Sequence, residues 1–355
     1  MRIIQVIDAL DYGDGVSNDV INKYNLLREM GMETEIYSKW FHDKVNTYRY
    51  DIDKLKVKEN DILLHHFSGK NHTWETVLKA NCKKVLVYHN ITPAEFFNNS
   101  IHGERCSEGE QQLLELYKYY NYYLADSEFN VQSLKQLGIN KDVDVLPILI
   151  DFSKIDRLLK NKRKKNTEIK TFLFVGRVAP NKKHEDIIDL FEYYFKNINC
   201  NSKLVFVGNY ADYMDYFDKL QNKINNLYSS KNIIFTGKID DEHLYQYYLD
   251  ADVFICMSEH EGFCIPLLES MYFGIPTIAF DAGAIHTTMG DAGILIKHKS
   301  AEKIAKLIHV ILTNENIQKQ IVDKQYAWVR NFSREFFEKK INILIDKWSG
   351  GNIDE

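Results

Sequence analysis

The sequence predicts an α/β protein with two doubly wound parallel sheets, each covered by helices. Three observations support this prediction. Short apolar runs alternate with helical segments along the first half of the chain, and the same alternation returns in the second half. Such runs are typical of parallel strands that are buried on both faces. A basic stretch that is poor in apolar residues, from 151 to 168, separates the halves and predicts an interdomain linker.

The first half alternates strand and helix from its first residues onward. Residues 2–8 predict a strand, and the loop 11–18 that follows carries two glycines. Ser17 or Asn18 can cap the next helix, whose apolar positions recur at helical spacing until Gly31 ends it. The further predicted elements are the strands 35–39, 62–66, 85–88, 123–125 and 143–148 and the helices 74–81, 110–122 and 128–137.

The second half repeats this alternation after the linker. Its strands are predicted at 171–176, 203–207, 233–236, 253–257, 277–280 and 294–296, and its helices from 184 and at 212–228, 242–249, 264–272, 301–312 and 317–330. A break at 331–333 precedes a last helix, 334–349. The sequence therefore predicts one domain at 1–160 and a second at 168–331.

Composition excludes several classes of function. The 355 residues are 45% hydrophobic and 27% charged, which is ordinary for soluble proteins and sufficient for two cores. The net charge of -5 gives no electrostatic basis for binding nucleic acid. No apolar run approaches the ~18 residues of a membrane span, and the apolar run at the N-terminus is too short for a signal peptide. We therefore expect a cytoplasmic protein.

Cysteines and surface runs refine this expectation. Five cysteines are scattered without a Cys-x-x-Cys pair, which favours reduced thiols over disulfides or a zinc site. The basic run 160–165 is interpreted as a solvated hinge; attraction to anionic lipid head groups at the inner face of the membrane is the alternative. The tyrosine cluster 117–123 allows a lipid or partner surface too, although tyrosines on a helix against a sheet more often form a core edge.

The most distinctive stretch is 261–269, EGFCIPLLE, between a predicted strand and a predicted helix. Ligands bind at the carboxyl ends of parallel strands, where helices begin and free amides face negative charge. Gly262 lets the backbone approach a ligand closely. The stretch resembles the Glu-Gly-Phe-Gly-x-Pro-x-x-Glu signature of retaining glycosyltransferases of family 4, which have the GT-B fold. Cys264 stands where glycine is commoner.

The resemblance implies a role for residues of this stretch. The carboxylate of Glu269 would accept hydrogen bonds from both ribose hydroxyls of a nucleotide-sugar donor. Glu261 would bond the sugar hydroxyls, and Gly262, Phe263 and Cys264 would complete the donor-binding loop. An exposed helix position is the alternative for Glu269, but its neighbours are apolar, and a carboxylate among them is costly unless it is hydrogen-bonded.

A cationic motif follows the first strand of the second half. Arg177 and Lys182, in GRVAPNK, stand at a strand end beside a helix start, where a guanidinium and an ammonium can bind an anion. Family 4 enzymes carry this Gly-Arg-x-x-x-x-Lys pattern, which implies that both cations hold the donor diphosphate and stabilise the leaving group. A surface loop whose cations pair with neighbouring acids is the alternative. Lys183 and His184 are assigned to the solvated start of the next helix.

Two residues of the first half, Gly15 and His89, stand in segments that resemble motifs of the same family. Gly15 lies in the loop GDGVSN, which lacks the third glycine of a nicotinamide or flavin fingerprint. The family's glycine loop lies over the donor phosphates or the acceptor; a plain tight turn is the alternative. His89 ends a strand, and the equivalent family histidine lies near the transferred sugar, where it can orient a hydroxyl or aid proton movement. The alternative is a histidine bonded to backbone.

Other polar residues are assigned no metal. His65 and His66 end a strand with no acid or cysteine at ligand spacing, so we expect them to line the cleft between the domains. Asp142 and Asp144 mimic the Asp-x-Asp motif of metal-dependent glycosyltransferases, but they lie at the start of a strand, away from the ligand-binding edge of a sheet. We therefore expect neither a metal nor a cofactor.

Together with the resemblance, these residues predict a metal-independent retaining glycosyltransferase. The second domain would bind a nucleoside-diphosphate sugar, and the first a glycan or lipid-linked acceptor, as in cell-surface polysaccharide synthesis. The GT-B fold implies a cleft between the domains and a final helix, 334–349, that crosses back to the first domain. A sugar-nucleotide epimerase, a phosphorylase and a non-catalytic binding subunit are the alternatives.

Overall fold

The chain folds into two compact units. The computed structural model describes residues 1–97, 100–159 and 168–350. The first unit holds Met1–Asp151 and the chain from Phe332 onward, and the second holds Phe152–Asn331. The basic run 160–165, with its predicted hinge or lipid contact, lies outside the described residues.

The first unit is a parallel sheet covered by helices. Its strands pair in the order β3-β2-β1-β4-β5-β6-β7. They are β1 Ile3–Leu10, β2 Thr34–Phe41, β3 Arg49–Asp51, β4 Ile62–Phe67, β5 Lys83–Tyr88, β6 Tyr122–Ala125 and β7 Asp144–Val145. The helices between them are α1 Gly15–Glu29, α2 Trp74–Lys79, α3 Ile101–Leu116 and α4 Glu128–Gln136. Strand β4 is buried at every residue and its neighbours β1 and β5 over most of their length, as expected for a sheet with helices on both faces.

Helix α1 begins earlier than the sequence predicts. Asp14 is its N-terminal cap, and its carboxylate accepts a hydrogen bond from the Ser17 backbone N–H at 3.0 Å. Because α1 begins at Gly15, Ser17 lies within its first turn and is not the cap. The Ser17 hydroxyl also donates a hydrogen bond to Asp14 at 3.0 Å. An aspartate at this position satisfies an N–H group and complements the helix dipole.

The second unit has the same architecture. Its strands pair in the order β10-β9-β8-β11-β12-β13. They are β8 Lys170–Val175, β9 Ser202–Val207, β10 Ile233–Phe235, β11 Val253–Cys256, β12 Thr277–Phe280 and β13 Ile294–Ile296. The helices are α5 Ser153–Leu159, α6 His184–Asn197, α7 Met214–Ile224, α8 Asp241–Asp250, α9 Ile265–Tyr272, α10 Ile285–Met289, α11 Ala301–Thr313 and α12 Glu315–Val329. The predicted fold class, two doubly wound parallel sheets, is therefore confirmed.

Helix α5 belongs to the second unit, although the sequence places residues up to 160 in the first domain. The ring of Phe152 stacks on that of Tyr272 with centroids 4.1 Å apart. The Tyr272 hydroxyl donates to Asp156 Oδ1 at 2.5 Å. These contacts join α5 to α9, so the second unit begins at Phe152.

The last helix, α13 Arg334–Ser349, belongs to the first unit. It buries one apolar stripe at helical spacing, namely Phe337, Ile341, Leu344, Ile345 and Trp348. Lys347 Nζ lies 3.1 Å from Asp142 Oδ2 and 2.9 Å from Asp144 Oδ1. The Asp-x-Asp pair thus anchors a helix through an ion pair. In the described ranges no helix combines the length and apolarity needed to cross a bilayer.

Two glycines let the ends of β8 and β9 approach closely. Gly176 and Gly208 have backbone φ angles of +153° and +151°, in a region that favours glycine. A Cβ atom built on Gly208 would lie 1.9 Å from the carbonyl oxygen of Gly176 and 3.2 Å from the Arg177 nitrogen. The close approach therefore fixes the backbone from which Arg177 extends.

We expect Gly208→Ala to lower the free energy of unfolding by about 4 kcal/mol or more, because the added methyl collides with backbone. The matched control is Gly138→Ala, since Gly138 has a φ of +88° and nothing within 4 Å of the added carbon. Gly138→Ala should lower the free energy of unfolding by only about 1–2 kcal/mol, the strain of a residue with a Cβ in the left-handed conformation. Urea unfolding measures both variants, and equal losses would contradict the clash.

Candidate active site

The candidate site lies where the strand order of the second unit reverses. The chain runs from β8 to β9 and β10 on one side, and β11 then pairs with β8 on the other side. The loops that leave β8 and β11 therefore start at the carboxyl edge of this switch point, the usual ligand position in such sheets. The first loop carries Arg177 and Lys182, and the second carries Glu261.

Lys182 and Glu261 form a largely buried ion pair at this point. Lys182 Nζ lies 2.6 Å from Glu261 Oε2, and the two side chains are 17% and 8% exposed. Burial lowers the pKa of the Lys182 ammonium, but the attraction and hydrogen bond of the Glu261 carboxylate, together with the nearby sulfurs of Cys264 and Cys256, outweigh burial and raise that pKa. Its pKa therefore lies above the ordinary value, so Lys182 is a permanent cation at neutral pH. The structure brings together these two predicted site residues.

Asn181 connects the two loops. Its Nδ2 donates to the His260 carbonyl at 3.1 Å, and its own carbonyl accepts the Glu259 N–H at 2.8 Å. The preceding Pro180 begins a short 3-10 turn, Pro180–Lys182, which directs Lys182 toward Glu261. The sequence prediction did not include Asn181. Its position next to a predicted phosphate-binding lysine is the feature that could have identified it.

Arg177 is placed differently. It follows Gly176 at the end of β8, and its side chain is exposed. Its guanidinium makes no hydrogen bond or ion pair with any other residue that the structure describes. The paired acids expected for an ordinary surface loop are therefore not seen around Arg177 in the described ranges. A guanidinium in this position can bind two oxygens of an anion.

The loop 261–264 is held by backbone contacts. The Ala284 N–H donates to the Glu261 carbonyl at 2.9 Å, and the Thr288 hydroxyl donates to the Phe263 carbonyl at 2.5 Å. Phe263 is buried, whereas Gly262 is partly exposed. These contacts fix the shape of the loop that the resemblance assigns to the donor.

Cys264 is the residue just before α9, which begins one position later than predicted. It adopts a left-handed backbone conformation with φ 73° and ψ 68°, and its side chain does not cap the helix. A residue other than glycine is strained in this conformation, which agrees with glycine being commoner in the family signature. The Leu267 N–H instead donates to the backbone carbonyl of Cys264 at 3.2 Å.

Glu269 lies on α9 with its carboxyl group directed at Tyr248 of α8. The Tyr248 hydroxyl donates to Glu269 Oε2 at 2.8 Å, and Tyr248 itself is fully buried. Burial raises the pKa of the Glu269 carboxyl, the Tyr248 bond lowers it, and the result is about 7. Tyr248 was missed because the helix carries several tyrosines and none stands out in the sequence. The exposed-helix alternative for Glu269 does not fit.

The raised pKa of Glu269 gives a pH-dependent prediction. The protonated carboxyl favours the folded chain fully below about pH 4.5, and this contribution is lost as pH rises through about 7. Ribose hydroxyls that donate to the carboxylate would favour its charged form. Nucleotide binding at pH 6 should then release up to about one proton, and at pH 8 almost none. Calorimetry in buffers of different ionisation enthalpy measures this; release that persists in Glu269→Gln would contradict the assignment.

His184 corrects the prediction of a solvated helix start. It is fully buried and lies against the rings of Phe174 and Phe206, with centroids 4.7 and 5.1 Å away. Burial lowers the pKa of its imidazole to about 3, so the ring is neutral. Lys183, which precedes it in a left-handed conformation, turns outward and pairs with Glu259 at 3.2 Å.

His89 belongs to a buried polar network in the first unit. His89 Nδ1 lies 2.7 Å from Asp126 Oδ2, and His89 Nε2 lies 2.7 Å from His66 Nδ1. His66 Nε2 in turn lies 3.2 Å from Gln5 Oε1, whose amide group donates to the Val20 carbonyl at 3.0 Å. The backbone-bonded alternative for His89 is therefore replaced by side-chain bonding. Asp126 was missed, although it directly follows a predicted strand at the same edge.

The donors and acceptors of this network fix its protons. Gln5 Oε1 can only accept, so His66 Nε2 must donate to it and His66 Nδ1 must accept. His89 therefore donates from Nε2 to His66, and its Nδ1 lies at hydrogen-bonding distance from the Asp126 carboxylate. Burial holds the pKa of His66 well below its usual range, which keeps His66 neutral.

The histidines of β4 are buried, contrary to the prediction that they line a cleft. His65 Nδ1 lies 2.5 Å from the Tyr120 hydroxyl, and His65 Nε2 lies 3.0 Å from Thr73 Oγ1. Burial lowers the pKa of His65 to about 4. Tyr120 and Tyr123 are buried as well, so this part of the tyrosine cluster forms the edge of the core. Gly15, the other predicted site residue of the first unit, is the first residue of α1, beyond the carboxyl end of β1.

Two groups of side chains among the described residues have metal-ligand spacing. Cys256, Glu261 and Cys264 form one group in the second unit, with one ligand atom from each lying within 4.8 Å of the others. Asp19, His66 and His89 form the other group in the first unit. In that group the histidines bond to each other, and the ammonium of Lys23 bonds to Asp19.

The sequence of the second unit matches a known family. Residues 156–328 match the family described as "Glycosyl transferases group 1". An O-antigen chain mannosyltransferase B of Escherichia coli is 24% identical over 163 residues, or 46% of this chain and 42% of that protein. A GDP-mannose-dependent alpha-mannosyltransferase of Mycolicibacterium smegmatis is 36% identical over 110 residues, or 31% and 25% of the two chains. The chain spans about half the length of the curated relatives it matches.

A solved structure is similar over almost the whole chain. The crystal structure of Anabaena Alr3699/HepE in complex with UDP-glucose has a TM-score of 0.72, at 16% sequence identity. The similarity covers 98% of this chain and 100% of that chain. At this identity the similarity establishes the fold alone. The chain thus has the GT-B fold, and its second unit matches the glycosyl transferases of group 1.

Proposed function

We propose that this chain is a metal-independent retaining glycosyltransferase. It moves a hexose-type sugar from a nucleoside-diphosphate sugar to a glycan or lipid-linked acceptor. The observation that carries the proposal is the ion pair of Lys182 with Glu261 at the switch point of the second unit. The loop of Lys182 also carries Arg177, which has no partner among the residues that the structure describes. Cations next to sugar-binding carboxylates are what a donor with a diphosphate and a sugar requires.

The two cations, Arg177 and Lys182, stabilise the leaving diphosphate. The diphosphate gains negative charge as its bond to the sugar breaks, and fixed positive charges stabilise that change without reorganisation. Lys182 supplies a fixed ammonium and Arg177 a guanidinium that can bind two oxygens. Their combined charge does what a metal ion does in other glycosyltransferases, and this supports metal independence.

The carboxylates would hold the two ends of the donor. Glu261, next to Lys182, would accept hydrogen bonds from the sugar hydroxyls, while Glu269 would accept them from the ribose. Retention is proposed because the stretch 261–269 resembles the signature of retaining glycosyltransferases. In those enzymes the acceptor attacks the sugar on the same face from which the leaving group departs. A part for His89 in orienting a hydroxyl of the transferred sugar is proposed from the resemblance alone. In the structure both of its ring nitrogens bond within the first unit, to His66 and Asp126.

The base and the sugar of the donor are open to experiment. One relative carries GDP-mannose in its name, and a similar structure is a complex with UDP-glucose. An O-antigen enzyme among the relatives supports a role in cell-surface polysaccharide synthesis. A peripheral contact to the inner face of the membrane is proposed from the sequence alone. GDP and UDP are therefore both included in the first test.

The test is thermal unfolding with GDP, UDP, dTDP, ADP and NAD, each with and without EDTA. A ligand at a hundred times its dissociation constant stabilises the folded state by about 2.7 kcal/mol, which shifts the midpoint measurably. We expect one nucleoside diphosphate to shift it equally with EDTA, and Glu269→Ala to abolish the shift. Glu315→Ala, at an exposed helix position, is the control that should keep it.

Two results would contradict the proposal. A shift by NAD alone, or by no nucleotide, would remove the basis for a sugar-nucleotide donor. Once the donor is known, isomerisation or phosphorolysis without an acceptor would indicate an epimerase or a phosphorylase. The anomeric configuration of the product, read by nuclear magnetic resonance, distinguishes retention from inversion.

A further inference from the structure

Cys256, Glu261 and Cys264 form a compact group of soft and hard ligands in the second unit. One ligand atom from each lies within 4.8 Å of the other two. Cys256 ends β11, Glu261 lies in the loop after it, and Cys264 immediately precedes α9. The cysteines are eight positions apart in sequence, a spacing that no short zinc-binding motif uses. The strand–loop–helix turn brings them together.

The geometry suits a tetrahedral cation. Two sulfurs bound at about 2.3 Å to a tetrahedral zinc ion lie about 3.8 Å apart, which is within the spread of this group. Thiolates select Zn²⁺ and other thiophilic ions, whereas Mg²⁺ and Ca²⁺ prefer sites made of oxygen ligands alone. Three protein ligands leave a fourth position for water.

The surroundings hold the ligands in place. Cys256 lies opposite Ala279 of β12 in the sheet, and Ser258 Oγ lies 3.2 Å from its sulfur. The carbonyl of Glu261 accepts the Ala284 N–H at 2.9 Å. Cys264 is partly exposed and gives the group contact with solvent. An ion that binds here would replace the hydrogen bond between the two cysteine side chains and share the Glu261 carboxylate with Lys182.

Charge also favours a divalent ion at this place. Two thiolates and a carboxylate carry three negative charges, of which a divalent cation neutralises two. The ammonium of Lys182, which lies 2.6 Å from Glu261 Oε2, compensates the third. Binding would release the two thiol protons to solvent, and the step needs no oxidant.

We propose that Cys256, Glu261 and Cys264 bind a thiophilic divalent cation such as Zn²⁺, and that this cation and the sugar donor exclude each other. The exclusion rests on the proposed function, in which Glu261 bonds the sugar hydroxyls. A carboxylate bound to a metal cannot offer the same oxygens to the sugar. The cation is therefore an inhibitor, and removing it with EDTA leaves transfer unchanged or raises it.

Cobalt binding tests the site without any need for activity. The full chain, free of affinity tags and kept reduced, is titrated with Co²⁺ while its absorption spectrum is recorded. We expect one ion per chain, with near-ultraviolet bands from thiolate to cobalt and the visible bands of tetrahedral coordination. Cys256→Ser and Cys264→Gly should each weaken binding by more than about tenfold. Cys200→Ser, at an exposed cysteine, should keep the spectrum.

Clear results would overturn the site. Bands that persist in Cys264→Gly, or vanish in Cys200→Ser, would place the ion elsewhere. A reduced protein that binds no cobalt but forms a Cys256–Cys264 disulfide with peroxide would indicate a redox pair instead. Circular dichroism of each variant shows that it is folded, so a lost spectrum reports the lost ligand.

Exclusion is tested separately with Zn²⁺. Zn²⁺ should inhibit sugar transfer competitively with the donor, and the ratio of activity with and without Zn²⁺ should approach one in Cys264→Gly, whatever its basal rate. Cobalt binding that leaves donor binding unaffected would overturn the exclusion. If no nucleoside diphosphate binds at all, the proposed function fails, while the cobalt spectrum still decides the metal site.

Discussion

Lys182→Ala should lower kcat/KM for the donor by about 10³-fold, the upper range for removal of one group that stabilises developing negative charge. The variant loses the ammonium that lies 2.6 Å from Glu261, and with it the fixed charge opposite the leaving diphosphate. It also leaves the Glu261 carboxylate largely buried without a partner, so part of the loss reflects a misplaced loop. Steady-state kinetics with the donor identified by thermal unfolding measures the effect.

The adjacent lysine provides the matched control. Lys183→Ala removes the same charge one position later, but Lys183 points outward to Glu259 at 3.2 Å. It should change kcat/KM less than about threefold, as expected for a partly exposed ion pair. Lys182→Arg keeps the positive charge on a side chain of another shape, so its kcat/KM should lie between those of Lys182→Ala and Lys183→Ala. Equal losses in Lys182→Ala and Lys183→Ala would show that net charge, and not this ammonium, matters.

Asp19→Ala should lower the free energy of unfolding of the first unit by about 3–5 kcal/mol, because it strands a buried cation. Lys23 bonds to Asp19 across one turn of α1, and both side chains are almost fully buried. Asp19 Oδ1 also accepts the Leu149 N–H at 2.8 Å, so the variant loses a second bond. Urea unfolding followed by hydrogen exchange of α1 measures the loss.

The double variant separates the charge from the packing. Asp19→Ala with Lys23→Met removes both charges and should recover most of the loss, since no unpaired ion remains buried. An exposed pair of the same spacing, Glu302 with Lys306, is the comparison, and Glu302→Ala should have no measurable effect. A double variant no more stable than Asp19→Ala would show that the Leu149 bond dominates.

The pattern of apolar residues along the sequence predicted the elements of the fold because each buried strand is a short apolar run. Elements that are short, or that are buried on one side only, were not predicted from this pattern. Strand β3, Arg49–Asp51, is polar and pairs only with β2, at the edge of the sheet. Helix α3 begins at Ile101, before its predicted start at 110, and the sequence missed this part because the helix buries glycines there, which give no apolar pattern. A Cβ on Gly109 would lie 2.6 Å from the Gly69 backbone.

The site was predicted in part for a similar reason. Lys182 and Glu261 could be named from their motifs, but their contact spans 79 positions and depends on strand order. Tyr248 and Asn181 act through one side-chain hydrogen bond each, which leaves no pattern in sequence. The pair of His89 with Asp126 follows from register, since Tyr88 lies opposite Ala125 and each polar residue comes next. Register is a long-range property that a single sequence does not encode locally.

The position of α13 affects the order in which the chain can mature during synthesis. The first unit is encoded in two pieces, with the whole second unit between them. While the ribosome translates the second unit, the surface that will receive Trp348 and its neighbours stays open. The second unit is continuous and can complete its core first. The nascent first unit therefore carries an exposed apolar surface that chaperones can bind until α13 emerges.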